Sequence, residues 1–276
     1  SNQLSLFVAC VRRRERMRLT ARSPQPDEAR GLLRLAQELA QQGDYAAALA
    51  AIERAMRSGA DEYTCYLHIA ALERQRHRAD AAILALQHAI ELQPNRSDAR
   101  EKMAELYLES GQVDAAIEQA THVLRRDPDN ITIRPLLVAA HLEKGDWEAA
   151  LRVLDELIAR APTEPIYHFH QAQVFQELGQ WGLALIAYDR VVELGTDREL
   201  VERAQEAMAM LDRIQIEHVL TLVLEDPQFR RAILENLEEA LVERQFALSR
   251  PGMTALRILL HQLQERELPC KPTLYH

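Results

Sequence analysis

"QGDYAAAL", residues 42–49, decides the fold, because the chain writes nearly the same phrase four more times. "RHRADAAI" (76–83), "SGQVDAAI" (110–117), "KGDWEAAL" (144–151) and "LGQWGLAL" (178–185) align with it without a gap. Gly43, His77, Gly111, Gly145 and Gly179 are therefore spaced by 34 residues, as are Ala48, Ala82, Ala116, Ala150 and Ala184. Pro94, Pro128 and Pro162 form a third series on the same period. Self-similarity at a fixed period of this size marks an array of stacked repeats.

Each unit reads as helix, tight turn, helix. Glycine at the turn suits the left-handed residue that closes a helix. Asp44 and Asp146 follow where a cap for the second helix belongs. The alanine five residues past each glycine lets two helices approach closely, and the prolines stop the second helix. His77 takes the glycine's place in the second unit, a left-handed position that costs a non-glycine residue about 1 kcal/mol. Pro135 falls early in a first helix, which is tolerable because first-turn amides have no intrahelical partner.

In period and in the placing of glycine, alanine and proline, residues 29–198 resemble five tetratricopeptide repeats. The resemblance implies an all-α, right-handed superhelical solenoid of helix-turn-helix repeats. Most units lack the large aromatic typical near the start of the first helix, with Leu32, Tyr66, Arg100, Arg134 and His168 there. Around the repeats the reading places a basic N-terminal extension (1–28), a capping helix (199–224) and a C-terminal helical extension with a mobile tail (225–276). In that extension Asp226 caps a helix that Pro227 opens, with Phe229, Ile233, Leu237 and Leu241 along one face. Pro251 opens a further helix. Such apolar faces are expected to bury against the repeats, the groove or another copy, which leaves room for a homo-oligomer through the C-terminal helices. The stretch "DPQFRRAILENLEEAL" (226–241) also resembles the leader of nitrile-hydratase-like precursor peptides.

Stacked helix pairs present a concave groove lined by the first helices. What the family resemblance implies as groove-facing is Arg34, Gln37, His68 and Arg74 from the first two units. The third supplies Glu101, Lys102, Glu105, Leu108 and Glu109; the last two supply Leu136, Glu143, Phe169, His170 and Gln173. The implied function is a non-catalytic scaffold or adaptor gripping a protein segment, with basic residues for the glutamates and apolar anchors for the leucines. Of the positions by which related repeats clamp a C-terminal carboxylate, only Lys102 fits.

Composition narrows the alternatives. A net charge of −9 argues against general nucleic-acid binding, which needs a basic footprint. Cys10, Cys65 and Cys270 form no C-x-x-C pair, so a reducing, cytoplasmic setting is expected. No phosphate-loop, zinc-protease or nucleophile-elbow motif occurs, so neither an enzyme nor a cofactor is expected. His168 and His170 form a His-x-His pair, but on a helix they point about 200° apart and cannot chelate one ion. His168 is read as a core residue and His170 as a groove residue. Near the N-terminus the apolar run Leu6, Phe7, Val8 precedes Arg12, Arg13, Arg14, Arg16 and Arg18. That order reads as a helix packing its apolar side on a neighbour. Its alternative is the end of a removed membrane anchor, with the chain on the cytoplasmic face.

Overall fold

Each repeated phrase is a turn between two helices. The computed structural model describes residues 26–267, which form fourteen helices and, among the described residues, no strand. The basic segment before residue 26 and the "PCKPTLYH" tail lie outside them.

The chain divides into two compact units that meet in sequence at residues 144 and 145. The first unit holds α1 (Pro26–Gln41), α2 (Tyr45–Arg57), α3 (Glu62–Gln75), α4 (Ala79–Leu92), α5 (Asp98–Glu109), α6 (Val113–Arg126) and α7 (Arg134–Lys144). The second holds α8 (Trp147–Arg160), α9 (Pro165–Glu177), α10 (Trp181–Leu194) and the long α11 (Arg198–Glu225). It ends with α12 (Pro227–Glu235), α13 (Leu237–Glu243) and α14 (Arg250–Glu267).

The turns close as the sequence dictates. Gly43 has φ +82°; its N–H donates to Ala40 O at 3.0 Å and the next N–H, of Asp44, to Leu39 O at 2.9 Å. That bond pair satisfies carbonyls the helix end would leave bare. His77 makes the same pair, on Arg74 O and through Arg78 on Glu73 O, at φ +55°. Asp44 and Asp146 then cap the second helices, accepting from Ala47 N at 3.0 Å and Ala149 N at 3.2 Å. Ala48, Ala82, Ala116, Ala150 and Ala184 are all 0% exposed. Within a unit, a side chain larger than a methyl has no room where the two helices of a pair meet.

In the first unit α1 packs on α2, α3 on α4 and α5 on α6, and neighbouring pairs share one core running from Ala36 to Leu106. A polar tie joins the second and third repeats. Tyr63, almost wholly buried, donates its hydroxyl to Asp98, and Arg96 lies 4.1 Å over the Tyr63 ring while bonding the same carboxylate at 2.7 and 3.2 Å.

In the second unit α9, α10 and the start of α11 share a core of Phe169, Leu185, Tyr188, Val191 and Leu211. The later turns of α11 carry Ile216, Val219 and Val223 into a third core with Phe229, Ile233, Leu241, Leu256 and Leu260. The C-terminal apolar faces are thus covered by the capping helix and by one another, which the sequence reading did not foresee. The segment after Pro227 is also two helices rather than one. Asn236 leaves helical geometry at φ −150° and caps α13 through Glu239 N at 3.3 Å.

Two buried polar residues of α11 hold the chain that leads into α14. Gln215, fully buried, exchanges two hydrogen bonds with the Ala247 backbone, at 2.9 and 2.5 Å. Asp212, 5% exposed, accepts from Ser249 N at 2.8 Å and from the Ser249 hydroxyl. Ser249 in turn caps α14 through Gly252 N at 3.1 Å. A carboxylate at a helix N-terminus is favourably placed against the helix dipole.

Candidate functional site

α3 and α5 carry the charged groups of the first unit's candidate groove. Arg74 on α3 reaches across to α5, with its guanidinium 3.3 Å from Glu105 and in contact with Glu109. Glu101, two turns earlier on α5, accepts from Asn130 Nδ2 at 2.9 Å. The acidic run expected from the sequence is therefore bridged by the chain's own arginine, and its carboxylates are about half exposed. Lys102 is exposed on the same helix.

Beside this bridge lies an open cavity of about 460 Å³. Ala70, Ala71, Leu86 and Leu106 give it an apolar floor, and Arg74, Lys102 and Glu109 stand at its walls. The repeat register names the charged wall but not the floor. Leu86 comes from a second helix, which groove-position rules omit.

The remaining first-unit residues are more dispersed. Arg34, Gln37 and Glu143 are exposed but do not line the cavity, while Leu108 and Leu136 are half-buried. His68 is half-buried and burial pulls its pKa below 6.5, so it is a neutral hydrogen-bonding group at neutral pH.

In the second unit Phe169 is 4% exposed. It meets Tyr188 edge-to-face at 5.5 Å, and Arg203 lies 4.7 Å above its ring. Its face is thus covered by a guanidinium rather than open. Phe169 and Gln173 line a cavity of about 320 Å³ together with Gln176, Glu177, Tyr188, Arg203, Glu206 and Ala207. His170 bonds Gln173 through Nδ1 at 2.9 Å, whereas His168 is buried with Nε2 2.9 Å from Pro162 O. One neighbouring histidine serves the core and the other a half-exposed surface. Arg203, Glu206 and Ala207 lie beyond residue 198, where the five-repeat resemblance ends. Continued by one period, it puts Arg203 at the position of Phe169 and Ala207 at that of Gln173.

Among the described residues no group of three His, Cys, Asp or Glu could hold a metal ion. Cys65 is fully buried, and burial, then Asp61 and Glu62, push its thiol up to about 12, so it stays protonated and unreactive. No described helix is long and apolar enough to cross a membrane.

Tetratricopeptide-repeat family models match residues 29–58, 73–121 and 114–174. The chain carries tetratricopeptide repeats. Several solved structures share the fold. The MamA RS-1 ArsTM double mutant superimposes with a TM-score of 0.54 at 18% identity, over 66% of this chain and 98% of that one. MamA residues 41–end from Desulfovibrio magneticus RS-1 gives 0.54 at 18%, over 61% and 96%. YrrB, a tetratricopeptide-repeat protein with an unusual peptide-binding site, gives 0.53 at 14%, over 63% and 90%. At these identities the likeness is one of fold. No curated protein matches the chain. The repeat class is a protein-interaction architecture, generally non-catalytic, whose stacked first helices form extended binding surfaces.

Proposed function

We propose that the chain is a non-catalytic interaction scaffold that takes an extended or helical segment of a partner protein along its first helices. The observation that carries this reading is the cavity between α3, α4 and α5. Its apolar floor suits one anchoring side chain, and the carboxylates of Glu105 and Glu109 beside it suit a flanking cation. Arg74 already occupies the position of such a cation. Its pairs are half exposed, and ion pairs of that kind are worth about 0.2–1 kcal/mol, so an incoming arginine or lysine can replace it. Electrostatic complementarity then selects register more than raw affinity. The peptide-binding site of YrrB on the same fold supports the reading.

The test is a peptide array of mixed apolar and basic sequences, with hits measured by fluorescence anisotropy. Glu105→Lys with Glu109→Lys should weaken basic hits about tenfold, the scale of two exposed pairs reversed. Glu118→Lys on a second helix should leave them unchanged. Equal binding by both variants would remove the acidic centre from the reading.

A further inference from the structure

The second unit's cavity is the counterpart of the first unit's in the repeat register, with its chemistry changed. Gln173, Gln176, Glu177 and Tyr188 stand three periods after Ala71, Arg74, Gln75 and Leu86, which line the first cavity. Glutamines thus replace an alanine and the bridging arginine, and a tyrosine replaces the leucine of the floor. The cation comes instead from Arg203, on α11 beyond the last repeat.

Arg74 and Arg203 are held in opposite ways. Arg74 is tied to two carboxylates. Arg203 lies 4.7 Å over the Phe169 ring, and among the described residues it makes no hydrogen bond or ion pair. Phe169 is itself packed edge-to-face on Tyr188. The guanidinium therefore has a seat while its donors remain unspent.

The two glutamines add donors beside it. Gln173 Oε1 lies 2.9 Å from His170 Nδ1, and Gln176 Oε1 accepts from the Tyr188 hydroxyl at 3.3 Å. Burial pushes that hydroxyl up to about 12, against the pull of Arg203, so it is a donor at neutral pH. With their oxygens taken, both glutamines keep their amide N–H groups for the cavity. Arg203, Gln173 and Gln176 thus offer donors alone, a set that selects an anionic acceptor. Glu177 on α9 and Glu206 on α11 line the same cavity, and neither makes a hydrogen bond or ion pair among the described residues. Two carboxylates beside one guanidinium repel a doubly charged phosphate. They suit a singly charged carboxylate with basic neighbours. A segment that runs on in both directions supplies two such neighbours, whereas a chain end supplies one.

We propose that this cavity of about 320 Å³ binds an acidic side chain of a partner segment, gripped by the Arg203 fork, with flanking lysines or arginines meeting Glu177 and Glu206. Gln173 and Gln176 donate to the same carboxylate, and Phe169 is a positioning residue that seats the guanidinium. The site lies wholly within the second unit. It does not depend on the first unit's cavity, whose carboxylates select the opposite charge.

The experiment follows isotope-labelled alanine methyl groups of the full chain by NMR. Ala207 lines this cavity, while Ala70 and Ala71 line the first one. The probe is a peptide blocked at both ends, with a Lys-Glu-Lys centre among alanines and serines. It should shift the Ala207 signal to saturation. A Lys-Gln-Lys version should bind there about tenfold more weakly, the scale of a charge-assisted hydrogen bond in an exposed site. Arg203→Gln should bring the glutamate peptide down to the same level. Arg203→Lys keeps the charge without the fork and should fall between the two. Arg213→Gln, exposed on the same helix, should change nothing. No shift at Ala207, equal affinity for the glutamate and glutamine peptides, or indifference to Arg203→Gln overturns the proposal. Tighter binding at Ala207 by a phosphoserine peptide, or by a glutamate-free peptide with a free C-terminus, also overturns it, by assigning the cavity to a dianion or a chain end. Shifts at Ala70 and Ala71 report the first cavity separately, so either reading can fail while the other stands.

Discussion

The repeats and the C-terminal helices are both all-α, yet they are specified in opposite ways. Between repeat helices the contact is a methyl group, Ala48 or Ala82, at 0% exposure, and the same choice recurs every 34 residues. Around α14 the contact is polar and occurs once, with Asp212 on Ser249 and Gln215 on Ala247. A repeated apolar contact tolerates variation at any one unit, because each repeat's stability adds to that of its neighbours. A single buried polar clasp has no such reserve, since one missing partner leaves a buried group unsatisfied.

The sharpest way to test this contrast is a pair of helical glycines, one from each region. A Cβ on Gly252 would lie 2.3–2.5 Å from the carboxyl atoms of Asp212, which two bonds to Ser249 hold in place. Gly252→Ala should therefore destabilise the C-terminal helices by about 3 kcal/mol, combining overpacking with a disturbed charged hydrogen bond. Amide exchange at Leu256 and Leu260 should accelerate with it. A Cβ on Gly31 in α1 meets nothing within 4 Å. Gly31→Ala should stabilise by about 0.5–1 kcal/mol, as expected for an exposed helix interior. Equal urea midpoints for the two variants would break the comparison.

The repeats do contain one polar tie of their own, and pH isolates it. Burial alone would raise the Asp98 pKa, but the hydrogen bonds from Tyr63 and Arg96 outweigh it and hold the carboxyl below its usual 3.8. Tyr63 is itself pushed up to about 12, by burial and then by Asp98, so it remains a hydroxyl donor at every ordinary pH. A carboxyl whose folded pKa is depressed contributes stability that is present above its unfolded pKa. That stability is lost as the pH falls from 3.8 through the lower folded value. Asp98→Asn should cost about 0.5–1 kcal/mol near pH 7, a figure discounted because the carboxylate is about a third exposed. The variant should also show a shallower loss between pH 4 and pH 2. Urea midpoints at pH 7 and pH 3 check this; a loss of equal size at both values would mean the tie is only steric.

What the sequence made legible follows the same division. The glycine, alanine and proline series identified the turns, the close helix contacts and the helix stops, because each is a local requirement repeated three to five times on one period. His168 and His170 were separable because helical geometry alone sends neighbouring residues to different faces. The Arg74 bridge was not legible, since it joins side chains 31 and 35 residues apart whose pairing depends on how α3 and α5 cross. Nor was the break at Asn236: the apolar spacing of Phe229, Ile233, Leu237 and Leu241 is continuous, and only the side-chain bond to Glu239 N shows where the helix restarts. Asp212 and Gln215 look like surface positions of a polar helix until the loop that covers them is in place. Arg203 and Ala207 were the omissions that the period itself could have supplied.

The smallest effect compares the regions on equal terms. His77 in a repeat and Gln245 between α13 and α14 are the non-glycine residues with positive φ among those described, at +55° and +61°. Both end a helix with the same bond pair; Gln245 N donates to Val242 O at 3.0 Å and Phe246 N to Leu241 O at 2.8 Å. A left-handed residue with a Cβ costs about 1–2 kcal/mol, while glycine forfeits about 0.5–1 kcal/mol of chain entropy on folding. His77→Gly and Gln245→Gly should each gain about 0.5 kcal/mol, read as a rise in the urea midpoint at unchanged slope. Both side chains are exposed, so neither substitution removes a packed group. A gain at His77 alone would show that the repeat turn is strained by its missing glycine while the C-terminal turn relies on glutamine for something more than its backbone.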